Sequence, residues 1–79
     1  MYEFVNQNAA KLLSTRETSC LQALATGDSN RDISSKLNIA LPTVALHLAN
    51  ARRKLGAVSR EHAVALAVAK GLIDVNART

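Results

Sequence analysis

The stretch SNRDISSKLNIALPTVALHLANARRKLG, residues 29–56, predicts two helices joined by a tight corner. Ser29 suits the N-cap of the first helix, and Asp32 follows at the third helical position, where a carboxylate also favours the helix dipole. Asn38 tolerates a left-handed backbone, and Pro42 suits the first turn of the next helix, because its missing N–H is not needed there. Two short helices joined by three or four residues form a helix-turn-helix.

The longer helix of this motif, about residues 41–55, has two different faces on a helical wheel. One face carries aliphatic residues that we expect to lie in the core, namely Val44, Leu48, Ala51 and Leu55. The opposite face carries residues that we expect to meet a partner, namely Pro42, Leu46, Ala49, Asn50 and Arg53.

Two further helices are predicted on either side of the motif. The sequence STRE, residues 14–17, has the spacing of a capping box, in which a serine hydroxyl and a glutamate carboxylate each accept a hydrogen bond from the other residue's backbone N–H. A helix should therefore begin at Thr15, and Gly27 should end it. Near the other end of the chain, Ser59 and Gly71 are the predicted cap and stop of a last helix.

The composition fits a single small helical domain. The chain has 79 residues and is 48% hydrophobic, but it contains only one Tyr, one Phe and no Trp. A core built from Leu, Ile, Val and Ala is typical of helical bundles, and the scarcity of aromatic rings argues against base stacking as a binding mode. We predict an all-α fold, a compact four-helix bundle containing a helix-turn-helix, over residues 13–79, and assign residues 1–12 to a tail or linker.

The positive charge is concentrated in the last third of the chain. Residues 1–51 carry four basic and four acidic side chains, whereas residues 52–79 carry six basic and two acidic ones. A local basic patch favours a partner that carries phosphate groups, although an excess of this size also occurs on ordinary solvated surfaces.

Several functional classes are disfavoured. Cys20 is the only cysteine, so it can form no disulfide within the chain and is interpreted as a small buried hydrophobic residue. His47 and His62 have no partners at metal-binding spacing, and no nucleophile has a base nearby in sequence. We therefore expect no enzyme activity, no metal, no cofactor and no small-molecule ligand. Without a signal peptide or an apolar run long enough for a bilayer, we expect a cytoplasmic protein that does not bind membranes.

The last predicted helix is apolar almost all round between residues 63 and 69. One side of a small core cannot cover so much apolar surface, so we expect a second contact, most simply with the same helix of another copy. The candidate residues for this homodimer contact are Val64, Leu66 and Val68.

The spacing of the caps, glycines and apolar residues also matches a family pattern. It is L-T/S-x-R-E, G-x-S-N-x-x-I, L-x-I, T-V-x-x-H-x-x-N, K-L-G and A-V, and it is met by Leu13, Ser14, Arg16, Glu17, Gly27, Ser29, Asn30, Ile33, Leu37, Ile39, Thr43, Val44, His47, Asn50, Lys54, Leu55, Gly56, Ala63 and Val64. With these residues, about three quarters of the chain resembles the LuxR-type (GerE-like) helix-turn-helix domain of bacterial transcription regulators, in particular its quorum-sensing branch.

The resemblance implies binding to double-stranded DNA as a dimer, with the third helix in the major groove, braced by the second, and the fourth helix joining two copies. By similarity, Thr43 and Lys54 would contact phosphates near the two ends of the third helix. Positions that commonly meet the DNA backbone are matched at the start of the second helix by Ser29, Asn30 and Arg31. Thr43 and Ser29 also fit a purely structural role as helix caps, and His47 is better suited to packing than to DNA contact.

The chain departs from the family where bases would be read. Family members often present long polar side chains there, but this chain has Ala45, Leu46 and Ala49, and the usual serine cap is replaced by Ala40. We expect these apolar residues to contact thymine methyl groups, with Asn50 and Arg53 providing polar contacts further along.

The same departure leaves a second hypothesis open. A degenerate or truncated family member could act as a protein-interaction module that inhibits a full-length relative by forming a heterodimer. The apolar recognition face favours this alternative, whereas the basic cluster at residues 52–54 favours DNA.

Overall fold

The computed structural model describes residues 13–76, and residues 1–12, predicted to be a tail or linker, lie outside this range. The described residues form four helices and no β-strand: α1 (Thr15–Ala25), α2 (Asn30–Leu37), α3 (Leu41–Leu55) and α4 (Arg60–Ala69). The predicted all-α fold with four helices is therefore confirmed. None of the described helices is both long enough and apolar enough to cross a membrane.

The predicted serine caps account for where three helices begin. Ser14 Oγ accepts a hydrogen bond from the Glu17 N–H at 3.0 Å, and Glu17 Oε1 accepts one from the Ser14 N–H at 2.9 Å. Ser29 and Asp32 form a second capping box at the start of α2, with distances of 3.1 and 3.0 Å. Ser59 caps α4 in the same way, through its hydroxyl alone. Each cap satisfies N–H groups that have no partner inside the helix.

α2 and α3 each end at a left-handed residue, as predicted for Asn38 after α2. Asn38 has a φ of 56° after α2, and Gly56 has a φ of 70° after α3. A residue with a positive φ carries the chain out of the helical path, and Gly and Asn adopt this conformation at the lowest cost. The corner between α2 and α3 is therefore short, and it fixes the helix-turn-helix.

α3 is the central helix and contacts α1, α2 and α4. Its predicted core residues Val44, Leu48, Ala51 and Leu55 are all buried. They pack with side chains from the other helices: Cys20, Leu21, Ile33, Ala63 and Ala67. Cys20 is fully buried, and burial raises the pKa of its thiol, in keeping with its predicted role as a small hydrophobic residue.

Two hydrogen bonds join α1 to the segment that follows α4. Gln22 Nε2 donates a hydrogen bond to the Asp74 carbonyl at 2.7 Å, and the Asp74 N–H donates to Gln22 Oε1 at 3.0 Å. The neighbouring Ile73 is buried in the core. These contacts fix the chain after α4 against α1.

Candidate nucleic-acid interface

The face of α3 opposite the core is open to solvent. Its central residue Leu46 is 57% exposed, and Ala45, Ala49 and Arg53 are exposed around it. A side chain as large and apolar as leucine gains nothing from this exposure, because water-accessible apolar surface is unfavourable. An exposed apolar surface on the second helix of a helix-turn-helix is a candidate contact surface.

The exposed residues in the first half of this face carry no hydrogen-bonding side chain for a base edge, because Ala45, Leu46 and Ala49 can offer only methyl and methylene groups. In the major groove, the matching apolar group is the C5 methyl of thymine. This part of α3 is therefore suited to methyl contacts and cannot form the bidentate bonds by which Arg or Lys recognises guanine.

The polar part of the face is a hydrogen-bonded pair. Arg53 Nη1 donates to Asn50 Oδ1 at 2.9 Å. With its oxygen engaged in this way, Asn50 presents its N–H₂ group, and Arg53 keeps its remaining N–H groups. The pair therefore presents hydrogen-bond donors, which suit guanine N7 and O6, thymine O4 or a phosphate oxygen.

The predicted phosphate contacts of α2 lie at its N-terminus. Ser29 and Arg31 are exposed there, and the Ser29 hydroxyl caps the helix as described above. Asn30 is half-buried, and its Oδ1 accepts a hydrogen bond at 2.8 Å from Nη2 of Arg60, the first residue of α4. The start of α4 is thus brought to the start of α2, beside the exposed face of α3.

Lys54 has a partner that its position in the sequence did not indicate. Its Nζ lies 2.9 Å from Oε1 and 3.2 Å from Oε2 of Glu17, whose side chain is buried. Burial works to raise the pKa of Glu17, but the hydrogen bond from the Ser14 N–H and the contact with Lys54 outweigh it, so the pKa lies below 4.5. The phosphate contact of Lys54 stays a prediction, and a phosphate there would compete with this carboxylate.

Thr43, the other predicted phosphate contact on α3, is half-buried in the first turn of the helix. Its N–H donates to the Ala40 carbonyl at 2.9 Å, while Ala40, the N-cap residue, provides no side-chain hydrogen bond. Its role also stays a prediction.

The arginines near α3 donate hydrogen bonds to neutral oxygens, whereas Lys36 and Lys54 pair with carboxylates. In residues 13–76, carboxylates form ion pairs with Lys36, through Asp28, and with Lys54, through Glu17. By contrast, Arg52 donates to the Ala57 carbonyl at 3.0 Å, and Arg53 and Arg60 donate to asparagine oxygens. A neutral acceptor orients a guanidinium group without cancelling its charge.

The sequence analysis named Arg52 only as part of the basic cluster at residues 52–54, and it did not single out Arg60. For Arg60 the basic excess of the last third was the only signal available. The position of Arg60 next to Asn30 depends on a contact between residues 30 apart in the chain.

The predicted dimer residues of α4 differ in exposure. Val64 and Leu66 are half-buried and pack against the core, whereas Val68 is 36% exposed. Ala65 and Ala69 are exposed as well. The outward apolar surface of α4 is thus made of small side chains around Val68.

No group of three or more His, Cys, Asp or Glu side chains in residues 13–76 is arranged to hold a metal ion.

Comparisons with known proteins support the helix-turn-helix assignment. The family profile of the bacterial regulatory proteins of the luxR family (GerE) matches residues 11–67. The chain is 41% identical over 68 residues to the quorum sensing-dependent transcriptional regulator VjbR of Brucella ovis, and the match covers 86% of the chain but 26% of VjbR. The chain therefore spans about a quarter of the length of this relative.

Solved structures show the same fold. The structure of the transcription factor GerE superposes with a TM-score of 0.79 at 34% identity, covering 82% of this chain and 97% of that one. The Vibrio cholerae VqmA dimer, described in the absence of its target DNA, superposes with a TM-score of 0.73 at 30% identity, covering 78% of this chain and 29% of that one. The chain belongs to the luxR family of bacterial regulatory proteins, as a GerE-type helix-turn-helix DNA-binding domain rather than an enzyme.

Proposed function

We propose that this domain binds double-stranded DNA sequence-specifically as a dimer, as part of a transcription regulator, with α3 in the major groove. The observation that carries the proposal is the exposed face of α3, where an apolar surface around Leu46 adjoins the donor pair of Asn50 and Arg53. A major groove offers thymine methyl groups and hydrogen-bond acceptors, and so matches both parts of this face.

The positioning contacts would come from the backbone-facing residues around α3. We assign phosphate contacts to Ser29, Asn30, Arg31, Thr43, Arg53 and Lys54. Contacts of this kind fix the register of a protein on the duplex and carry no sequence information. Base contacts would come from Ala45, Leu46, Ala49 and Asn50.

Dimer formation would place two copies of α3 on successive turns of the duplex. The exposed apolar surface around Val68 is the part of α4 that a second copy could cover. For a symmetric helix-turn-helix dimer, this geometry predicts two inverted half-sites centred about 10 base pairs apart.

The methyl contacts can be tested one chemical group at a time. The 79-residue chain is used to select duplexes from a pool randomised over about 20 base pairs, enough for two half-sites. The selected duplex is then made with each thymine replaced in turn by deoxyuridine, which removes only the C5 methyl group. We expect losses of about 0.8 kcal/mol, roughly fourfold in affinity, at the contacted thymines.

Variants of α3 show which residues contact the thymine methyl groups. Leu46→Ala should reduce the effect of the deoxyuridine substitution, and Ala49→Lys should change which duplexes are selected. Val75→Ala, which shortens another exposed apolar side chain outside the α3 face, is the matched control. If deoxyuridine has no effect at any position while the chain still prefers its selected duplex, methyl contacts do not provide the specificity.

The alternative of an inhibitory interaction module is supported by the same apolar face of α3, which has no long polar side chain at the exposed positions Ala45, Leu46 and Ala49. It predicts no enrichment of any duplex, no binding to DNA above background at low salt, and an effect of α4 variants on pairing with a full-length relative. The selection experiment therefore separates the two functions.

A further inference from the structure

We infer that Arg60 and Arg52 form a phosphate-binding cleft beside the reading face of α3, and that it receives a DNA backbone phosphate. The cleft has a volume of about 270 Å³ and lies where α2, α3 and α4 meet. It is lined by Asn30, Ala45, Leu48, Ala49, Arg52 and Arg60. This inference rests on the proposed function, since it adds a positioning site to the same DNA complex.

The charge of the cleft is positive and uncompensated. Both arginines donate to neutral oxygens, Arg60 to Asn30 Oδ1 at 2.8 Å and Arg52 to the Ala57 carbonyl at 3.0 Å. Within residues 13–76, no carboxylate lies within ion-pair distance of either guanidinium group, and the lining contains no acidic residue. The groups still available for bonding are therefore donors, which suits an anion with several acceptor oxygens.

The rest of the lining favours a phosphodiester within a nucleic acid over a free phosphate ion. Ala45, Leu48 and Ala49 give the cleft an apolar part, against which a deoxyribose ring can pack while its phosphate meets the guanidinium groups. Ala45 and Ala49 also belong to the face of α3 that we assign to base contacts. A strand whose bases meet that face would bring its backbone along the cleft.

The bond between Asn30 and Arg60 gives this site its orientation. It holds the guanidinium group of α4 next to the start of α2, where other backbone contacts are assigned. Asn30 would therefore act as a positioning residue for Arg60. A carboxylate in place of the asparagine amide would keep the contact but would neutralise the charge.

The test measures the salt dependence of binding to the selected duplex. Arg60→Gln removes the charge but can still donate to Asn30. It should make the slope of log affinity against log salt less steep by about 1.8, the value for one phosphate in each of the two copies. Arg60→Lys should keep the slope. Asn30→Asp introduces a carboxylate, which also suits the N-terminus of α2. It should make the slope less steep although Arg60 is still present.

Lys36→Gln is the matched control, because it removes one positive charge that Asp28 already neutralises. Single uncharged methylphosphonate linkages, placed in turn along the duplex, then locate the contact. One linkage in each half-site should weaken binding of the unmodified chain and have no effect on the Arg60→Gln variant.

The cleft is disproved if Arg60→Gln has the same slope as Lys36→Gln, or if no linkage distinguishes that variant from the unmodified chain. In that case the unmodified chain still binds its duplex, and the proposed function stands. If the unmodified chain does not bind DNA, the proposed function and the cleft fail together.

Discussion

Glu17 connects the start of α1 to the end of α3. Its carboxylate accepts from the Ser14 N–H and from Lys54 Nζ, and its side chain is buried. A buried charge is tolerated only when it is paired and hydrogen-bonded, and both conditions are met here. The residue therefore stabilises the fold most when it is ionised.

This ionisation predicts how stability depends on pH. Because the pKa of Glu17 is lowered on folding, its stabilising contribution is complete above the ordinary value of 4.5 and is lost as the pH falls through the lower folded pKa. We expect the free energy of unfolding, measured by urea titration at a series of pH values, to fall in acid. Asp32, whose pKa is lowered mainly by its hydrogen bond from the Ser29 N–H, adds a loss in the same direction.

Glu17→Gln isolates the effect of the charge, since glutamine can still complete the capping box. The variant should be less stable than the unmodified chain at neutral pH, and its stability should fall less in acid. Glu61→Gln, at an exposed carboxyl group in the first turn of α4, serves as the control. Parallel pH curves for Glu17→Gln and the unmodified chain would contradict this explanation.

Substitutions at two N-cap positions test how much the helix caps contribute to stability. Ser14→Ala removes the acceptor for the Glu17 N–H and should cost about 1 kcal/mol. Ala40→Ser should do the opposite at α3, because Ala40 already has an extended backbone at the N-cap but provides no side-chain acceptor. We expect the free energy of unfolding, obtained from the denaturation midpoint, to rise by about 1 kcal/mol. Unchanged midpoints in both variants would mean that caps contribute little to this domain.

The helix α4 has an outward surface that the core does not use. Ala63 and Ala67 are buried, Val64 and Leu66 are half-buried, and Val68 is exposed. A charge at the exposed position should leave the core intact, whereas a charge at the half-buried positions should also disturb packing. The exposure of Val68 makes it the best position at which to separate dimer formation from folding.

Val68→Asp should therefore keep the thermal stability of the fold and abolish dimer formation, measured by sedimentation with and without the selected duplex. Val64→Asp and Leu66→Asp should lower the melting temperature as well. Val75→Asp is the control for a charge introduced at an exposed valine beyond α4. If all folded α4 variants still bind DNA cooperatively as dimers, the contact lies on another surface.

In the molecule as a whole, the helices could be predicted from local sequence. Parts of the candidate interface could not, because they depend on contacts between residues far apart in the chain. Caps and stops were predictable because their partners lie within a few residues, as Ser29 and Asp32 do. The two faces of α3 followed from helical periodicity. The ion pair of Glu17 and Lys54 was not predictable, because it joins residues 37 apart whose proximity depends on the packing of α1 against α3.

The charge of the proposed interface was also only partly predictable from the sequence. The sequence located an excess of positive charge in the last third of the chain, but a count cannot tell which charges are neutralised. Folding pairs Lys54 with a carboxylate and leaves Arg52, Arg53 and Arg60 on neutral acceptors. The charge available to phosphates is therefore carried by arginines, one of which belongs to α4 and not to the helix-turn-helix.

The most direct test of DNA recognition by α3 is a salt titration of binding to the selected palindrome and to a scrambled duplex of equal length. Arg31, Arg52, Arg53 and Arg60 are assigned to phosphates and have no carboxylate partner among residues 13–76. With these four charges in each of two copies, log affinity should fall linearly with log salt with a slope of about −7 on the palindrome. The palindrome should bind more tightly than the scrambled duplex at every salt concentration. Binding at background level on both duplexes at low salt, or equal affinity for the two, would contradict the account.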